Sequence, residues 1–96
     1  MDLEIAIVAA KDGNVAGLVD AMNNGGGCAA LEACPGCRSA KAMPGVENPE
    51  SVLILVEWDS VEAHAAAKDS EHFKRFHQIA GPFFGGGGSM QHFRAA

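Results

Sequence analysis

The segment Ser51–His77 reads SVLILVEWDSVEAHAAAKDSEHFKRFH, and its pattern decides the fold. Its first eight residues, Ser51–Trp58, predict a β-strand that is apolar on both faces until its last pair. A turn at Asp59 and Ser60 follows, and the apolar positions then recur at helical spacing. This second half holds three of the four histidines. We therefore expect any chemistry to lie where that strand meets that helix.

The remaining elements surround this segment in a recognisable order. Residues 3–10, LEIAIVAA, predict a first strand, and Asn14 is a cap for a helix that the glycines at 25–27 interrupt. Residues 38–46 predict a strand in which Pro44 is suited only to an edge or a bulge, and residues 89–94 predict a last strand. The order strand, helix, strand, strand, helix, strand indicates one α+β domain over residues 1–96, ferredoxin-like (β-α-β-β-α-β) with an antiparallel sheet.

The apolar character of Leu53 and Leu55 predicts a partner for the sheet. An antiparallel sheet usually keeps one face in water, so a strand that is apolar on both faces needs two covers. Helices supply one cover. A chain of 96 residues also buries a limited core alone. We expect a homodimer that forms through the sheet face.

Composition and charge exclude several classes of partner. Seven Lys and Arg against twelve Asp and Glu give a net charge of -5, and no basic run is present, so nucleic acid is not an expected partner. No apolar run has the length of a membrane span, and the N-terminal residues are acidic where a signal peptide is basic. Three cysteines are an odd number and too few for a disulfide framework, so we expect a cytoplasmic protein.

Several short motifs together resemble one known family. They are Pro35-Gly36-Cys37, Glu47-Asn48-Pro49, Glu57-Trp58-Asp59-Ser60, Ser70-Glu71-His72-Phe73 and Phe76. These motifs and the element order resemble the antibiotic biosynthesis monooxygenase (ABM) domain family, whose members are small dimeric α+β barrels. The resemblance implies a cofactor-independent monooxygenase that acts on a small aromatic substrate such as a quinol or anthrone, without metal or flavin. The alternative is a non-catalytic small-molecule-binding or structural dimer of the same fold.

The sequence departs from this family's pattern at Ala67. Many members place a histidine there, nine residues after the tryptophan that ends the strand, whereas here His64 lies three residues earlier. The haem-degrading members have a tryptophan at that place, an asparagine on the first strand and an axial histidine later in the helix. Only the axial position is matched, by His77, so the resemblance does not imply haem degradation by their mechanism.

The resemblance directs attention to the histidines as bases. Imidazole titrates near neutral pH. At about 100° per residue, His77 lies about 40° from Phe73, toward the apolar face, while His72 lies about 100° away on the other side. We rank His77 first and His64 second as the catalytic base, with Trp58, Phe73 and Phe76 as substrate-binding residues. The alternative is that Trp58 closes the core at the sheet edge and the histidines are exposed.

Metal binding and thiol chemistry are weaker predictions. His72 and His77 lie about 140° apart on a helix, so they do not form a two-histidine metal site. Cys34 and Cys37 have redox-motif spacing but follow a helix, whose negative end disfavours a thiolate. A structural turn is therefore favoured over thiol exchange, or over a zinc site that includes Cys28. The glycines at 85–88 precede a strand, which is typical of a flexible connector rather than a phosphate loop.

Overall fold

A computed structural model describes all residues from 1 to 96 and contains one antiparallel sheet of four strands. The elements are β1 (Asp2–Ala9), α1 (Val15–Asn23), α2 (Gly27–Glu32), β2 (Cys37–Pro44), β3 (Ser51–Trp58), α3 (Val61–Ala67), α4 (Glu71–Ala80) and β4 (Ser89–Arg94), with short 3₁₀ turns at Lys11–Gly13 and Gly81–Phe83. The strands lie side by side in the order β2-β3-β1-β4. The predicted α+β, ferredoxin-like fold is thus confirmed.

The helix boundaries follow the local signals in the sequence. The side chain of Asn14 accepts a hydrogen bond from the Gly17 N–H at 3.0 Å and caps α1. Gly26, with φ of 102°, separates α1 from α2, because a residue with a side chain is strained in that conformation. Ser60 and Ser70 cap α3 and α4 by accepting from N–H groups three residues later, at 3.1 and 3.2 Å. The serine between α3 and α4 therefore divides the second helical region in two.

The two faces of β3 have different surroundings. Its helix-facing side chains are Val52, Ile54, Val56 and Trp58, and all four are buried in the core. Leu53 and Leu55 point to the opposite face, where no element of the chain covers them, and they are half-buried. On the same open face, Ile7 of β1 and Phe93 of β4 are 45% and 49% exposed. The sheet thus has one covered and one uncovered apolar face.

Strand β1 brings the end of β3 and the end of β4 together. In the register, Asp2 lies opposite both Trp58 and Arg94, and Glu4 lies opposite His92 on the β4 side. Because alternate residues share a face of a sheet, these side chains all point toward the helices at one end of the sheet. The longest helix, α4, has 10 residues, and no helix combines the length and the apolar run needed to cross a bilayer.

Candidate functional site

His64 is the centre of the cluster at this end of the sheet. Ser60 starts α3, and the backbone N–H of His64 bonds the Ser60 carbonyl at 3.3 Å, so His64 lies one turn into the helix and faces the sheet. The residue is only 3% exposed. Its ring stacks on the indole of Trp58, with centroids 4.8 Å apart and planes 13° from parallel. The end of β3 and the start of α3 thus meet through two stacked aromatic rings.

Polar contacts link His64 to β1 and β4. His64 Nδ1 lies 2.8 Å from Nε2 of His92, and His64 Nε2 lies 3.3 Å from Oε1 of Glu4. The same Glu4 oxygen accepts a hydrogen bond from the indole N–H of Trp58 at 3.0 Å. We call Glu4, His64 and His92 the histidine relay. Its members come from three different elements, and the sheet register aligns two of them.

Burial sets the charge state of the relay. It lowers the pKa of His64 from 6.5 to about 4, and the positive charge of Lys68 acts in the same direction, as does that of His92 when its ring is protonated. Burial also raises the pKa of Glu4, although the hydrogen bond from Trp58 opposes that effect. His64 is therefore an uncharged imidazole at neutral pH. An uncharged imidazole has one N–H donor and one nitrogen acceptor.

The contacts select one tautomer of each histidine. A carboxylate oxygen beside His64 Nε2 favours a proton on that nitrogen, which leaves Nδ1 as an acceptor. His92 must then donate its Nε2–H to His64 Nδ1. Nδ1 of His92 makes no hydrogen bond within the chain, and the residue is half-buried at the edge strand. The relay thus runs from a half-buried carboxylate to an unbonded nitrogen at the sheet edge.

Aromatic rings of α4 continue from His64. The ring of Phe73 lies 6.3 Å from that of His64, and Phe76 lies 5.4 Å from Phe73. Phe76 in turn contacts Phe84, whose ring centroid is 6.0 Å away. Phe76 is buried, whereas Phe73 and Phe84 are half-buried. The relay therefore lies beside an apolar surface that is partly open to solvent.

The structure brings together four of the five residues that the sequence suggested, namely Trp58, His64, Phe73 and Phe76. His77 lies apart from the relay: it is exposed, and its ring contacts only those of Phe73 and Phe76, each at 5.0 Å. This contact with Phe73 agrees with the angular position that the helical spacing predicts. His72 is also exposed on α4.

Sequence reasoning missed Glu4 and His92. The signal for Glu4 is present, since Leu3, Ile5 and Ile7 form the open face of β1 and Glu4 must then point into the core side. An acidic side chain at an inward position of an apolar strand needs a polar partner. The ferredoxin-like strand order, which places β1 between β3 and β4, would have supplied His92 as that partner.

Two cavities lie away from the relay. One, of about 240 Å³, is formed by residues of β1, the β2–β3 turn, the start of β3 and Gly88. The other, of about 540 Å³, lies between α1 and Pro44. Trp58 lines neither cavity, because the His64 ring covers it and its exposed fraction is 0%. No group of three His, Cys, Asp or Glu side chains is placed to hold a metal ion.

Cys28 lies in α2, and Cys34 and Cys37 border the turn between α2 and β2. The backbone N–H of Cys37 bonds the Cys34 carbonyl at 3.1 Å, and Gly36 has a positive φ of 85°. Burial raises the pKa of Cys28 to about 11 and that of Cys37 to about 12. All three cysteines are free thiols. Since the thiolate is the reactive form, this arrangement favours the structural role that the sequence suggests.

Comparison with known proteins agrees with the fold. The family model described as antibiotic biosynthesis monooxygenase matches residues 4–79. No protein of curated function matches the chain. A protein of Bordetella bronchiseptica, provisionally named an antibiotic biosynthesis monooxygenase, has a similar structure, with a TM-score of 0.87 and 19% identity over 99% of this chain and 96% of that one.

Two further solved structures share the fold. One, from Chloroflexus aurantiacus J-10-fl, bears the same provisional name, with a TM-score of 0.76 and 18% identity over 99% of this chain and 92% of that one. Another is named an antibiotic biosynthesis monooxygenase, with a TM-score of 0.74 and 17% identity over 100% of this chain and 99% of that one. The family model covers most of the chain, and these structures reproduce its whole fold. The chain therefore belongs to the antibiotic biosynthesis monooxygenase family.

Proposed function

We propose that this chain is a cofactor-independent monooxygenase that acts on a small aromatic substrate of the quinol or anthrone class. The observation that carries the proposal is the histidine relay, in which an uncharged, buried imidazole links a half-buried carboxylate to a histidine at the sheet edge. Such a substrate needs no cofactor, because its deprotonated ring can pass an electron directly to oxygen. The protein must supply a base, a dry apolar surface and polar groups that orient the ring.

His92 is the base in this proposal. Its Nδ1 takes the proton of the substrate, while its Nε2–H stays bonded to His64 Nδ1. The positive charge that forms on His92 is stabilised through His64 by the carboxylate of Glu4. This arrangement is analogous to the carboxylate and histidine of a catalytic triad, in which the third group orients and stabilises the base. His64 acts through His92 and is a positioning residue.

The proposed reaction balances without a further reagent. The base removes a proton from a ring CH₂ or from a phenol, and the anion passes one electron to O₂. The two radicals combine to form a C–O bond, which gives a peroxide anion. Loss of the remaining C–H proton and of the distal oxygen as water produces the carbonyl of a quinone. Four electrons leave the carbon, and O₂ accepts all four. The proton held by His92 is returned to the departing oxygen.

Exposure and partners favour His92 over His77 as the base. His77 lies on the exposed side of α4, with ring contacts to two phenylalanines and no carboxylate beside it. His92 has a hydrogen-bonded partner that fixes its ring and a free nitrogen at the sheet edge. A positioned base is more effective than a free one, because its orientation is set before the reaction.

Phe73 is the substrate-binding residue that the geometry favours most. It is half-buried and lies next to His64, so an aromatic substrate can pack on its ring within reach of the relay. Trp58 and Phe76 are buried and support His64 and Phe73 from behind. These two residues contribute to binding in the proposal by holding the rings of His64 and Phe73 in place.

We further propose a homodimer through the open face of the sheet. That face carries Leu3, Ile5, Ile7, Met43, Leu53, Leu55 and Phe93, and no element of the chain covers it. A contiguous uncovered apolar surface of this kind marks an interaction site in soluble proteins. The three free thiols are suited to a reducing compartment, and we place the dimer in the cytoplasm.

Oxygen uptake tests the proposed function. Wild type is mixed with a panel of quinols and anthrones, and oxygen consumption is followed together with quinone formation. We expect turnover of at least one substrate and its reduction by about 10²-fold or more in His64→Gln. His72→Gln, which changes an exposed histidine outside the relay, should match wild type. Absence of turnover across the panel would favour the rival, a non-catalytic dimer that binds small molecules through the same surface.

A further inference from the structure

Asp2 connects the elements that carry the two histidines of the relay. Asp2 and His64 are the only buried polar residues of the chain, each 3% exposed. One carboxylate oxygen of Asp2, Oδ2, accepts a hydrogen bond from the backbone N–H of Val61 at 2.8 Å. Arg94 donates from Nε to Oδ1 at 2.9 Å and from Nη2 to Oδ2 at 3.3 Å. One carboxylate thus bonds both the first residue of α3 and a side chain of β4.

The spacing of these contacts matches that of the relay. Asp2 and Arg94 lie opposite each other in the β1–β4 register, and Glu4 and His92 are the next pair on the same face. Val61 opens α3, and His64 lies three residues further along it. Any movement of α3 away from β4 would therefore lengthen the contacts of Asp2 and the bond between His64 and His92 together.

We propose that Asp2 and Arg94 are positioning residues, which hold α3 and β4 at the separation that lets His64 and His92 share a hydrogen bond. The inference deepens the proposed function and rests on it, because Asp2 and Arg94 align the relay that holds the base, His92. Two parallel N–H donors on one carboxylate restrict the rotation of the guanidinium relative to the carboxylate as well as the distance between the two groups, which a single bond cannot do. This restriction suits β4, because an edge strand has a neighbour on one side only.

Charge supports this role for the pair. The hydrogen bond from Arg94 is the main cause that lowers the pKa of Asp2, and the carboxylate raises the pKa of Arg94 in return. The N-terminal ammonium of Met1 also favours the charged form of Asp2, and Glu62 of α3 favours that of Arg94. Both groups are thus charged at neutral pH. The Arg94 side chain is 75% exposed, so replacing it opens no cavity in the core.

The chain offers a matched control for Arg94. Arg38 of β2 donates to Asp59 at 2.7 Å, and both side chains are more than half exposed. Asp59 lies just before the cap of α3, so this pair also joins a strand to the start of that helix. It makes no contact with the relay. Arg38→Gln therefore removes an arginine–aspartate pair without changing the residues that we assign to positioning.

Nitrogen-15 NMR of the imidazole rings tests the inference directly. In wild type at neutral pH, we expect His92 Nε2 to carry the shared proton and His64 Nδ1 to show an acceptor shift. In Arg94→Gln and Asp2→Asn, exchange of that proton with water should accelerate by at least about 10-fold. Arg94→Lys retains the charge but not the two parallel bonds, and it should give an intermediate rate. Arg38→Gln should give the wild-type rate.

The outcomes separate positioning from general stabilisation and from the function. If Arg94→Gln and Asp2→Asn lower the melting temperature but leave the shared proton and both ring shifts as in wild type, the inference is overturned. Because these shifts need no substrate, absence of oxygen uptake in wild type would refute the proposed function alone. Where uptake is observed, Arg94→Gln should lower kcat while KM stays within about twofold, and an unchanged kcat would also overturn the inference.

Discussion

The buried, uncharged His64 makes a specific prediction about the pH dependence of stability. Its pKa is 6.5 in an unfolded chain and about 4 in the fold, because burial disfavours the charged ring. The unfolded state therefore binds a proton as the pH falls through 6.5, while the folded state does not until about 4. The stability that His64 contributes is complete above pH 6.5 and is lost as the pH falls toward 4.

The size of the effect follows from this difference. Between about pH 7.5 and about pH 5, protonation of an unfolded histidine lowers the free energy of unfolding by about 2 kcal/mol. Solvent near the sheet edge screens part of this difference, so we expect about 1.5 kcal/mol in this protein. Asp2 acts below this range, because its pKa is lowered from 3.8 and its contribution falls only as the pH drops below that value. Glu4 acts in the opposite direction to His64, because its raised pKa adds stability as that carboxyl is protonated. Comparison with a variant that keeps Glu4 separates the two effects.

Urea denaturation at the two pH values measures this difference. Protomer concentration is kept fixed, because dimerisation would shift the midpoint by mass action. We expect wild type to lose about 1.5 kcal/mol more than His64→Gln between about pH 7.5 and about pH 5. His72→Gln, which changes an exposed histidine, should follow wild type. Parallel pH dependence in wild type and His64→Gln would refute the reasoning, because His64 would then titrate alike in both states.

Three further predictions follow from the sheet, the indole and the thiols. Leu55→Lys places a charge at the centre of the open face and should give monomers in light scattering. Val46→Lys, at a site that is 84% exposed, should leave the dimer intact. Dimers in both variants would contradict the assigned interface. Trp58→Phe removes the N–H donor to Glu4 and part of a fully buried ring, so urea denaturation should show that the free energy of unfolding falls by about 2 to 3 kcal/mol. A decrease below about 0.5 kcal/mol would contradict the described contact. Iodoacetamide at about pH 8 should alkylate Cys28 and Cys37 at least about 100-fold more slowly than free cysteine. Intact-mass measurements that show a free-cysteine rate would contradict the burial that raises the pKa of these two thiols.

Much of the fold could be predicted because its signals are local. The alternation in Ser51–Trp58 specifies which side chains face the helices, and the structure shows the predicted faces. Asn14, Ser60 and Ser70 are helix caps whose hydrogen bonds involve residues only three positions away. Pro44 lies at the end of an edge strand, where its missing N–H leaves no gap in the sheet. Each of these features depends on a few neighbouring residues.

The candidate site was harder to predict because it depends on contacts between distant elements. Glu4 and His92 meet only through the β1–β4 register, and neither has a local motif around it. The burial of His64 depends on the start of α3 and on the break before Ser70, so one continuous helical wheel does not describe both helices. The helical spacing indicates on which side of α4 His77 lies. It gives no information on whether the sheet covers the His77 ring, which is exposed in the structure.

The most direct test of the account compares two histidines in one assay. Oxygen uptake with the best substrate of the panel is measured for wild type, His92→Gln and His77→Gln. We expect His92→Gln to lower kcat/KM by about 10²-fold or more, and His77→Gln to stay within about twofold of wild type. The opposite pattern, with activity lost in His77→Gln and retained in His92→Gln, would contradict the assignment of the base to the histidine relay.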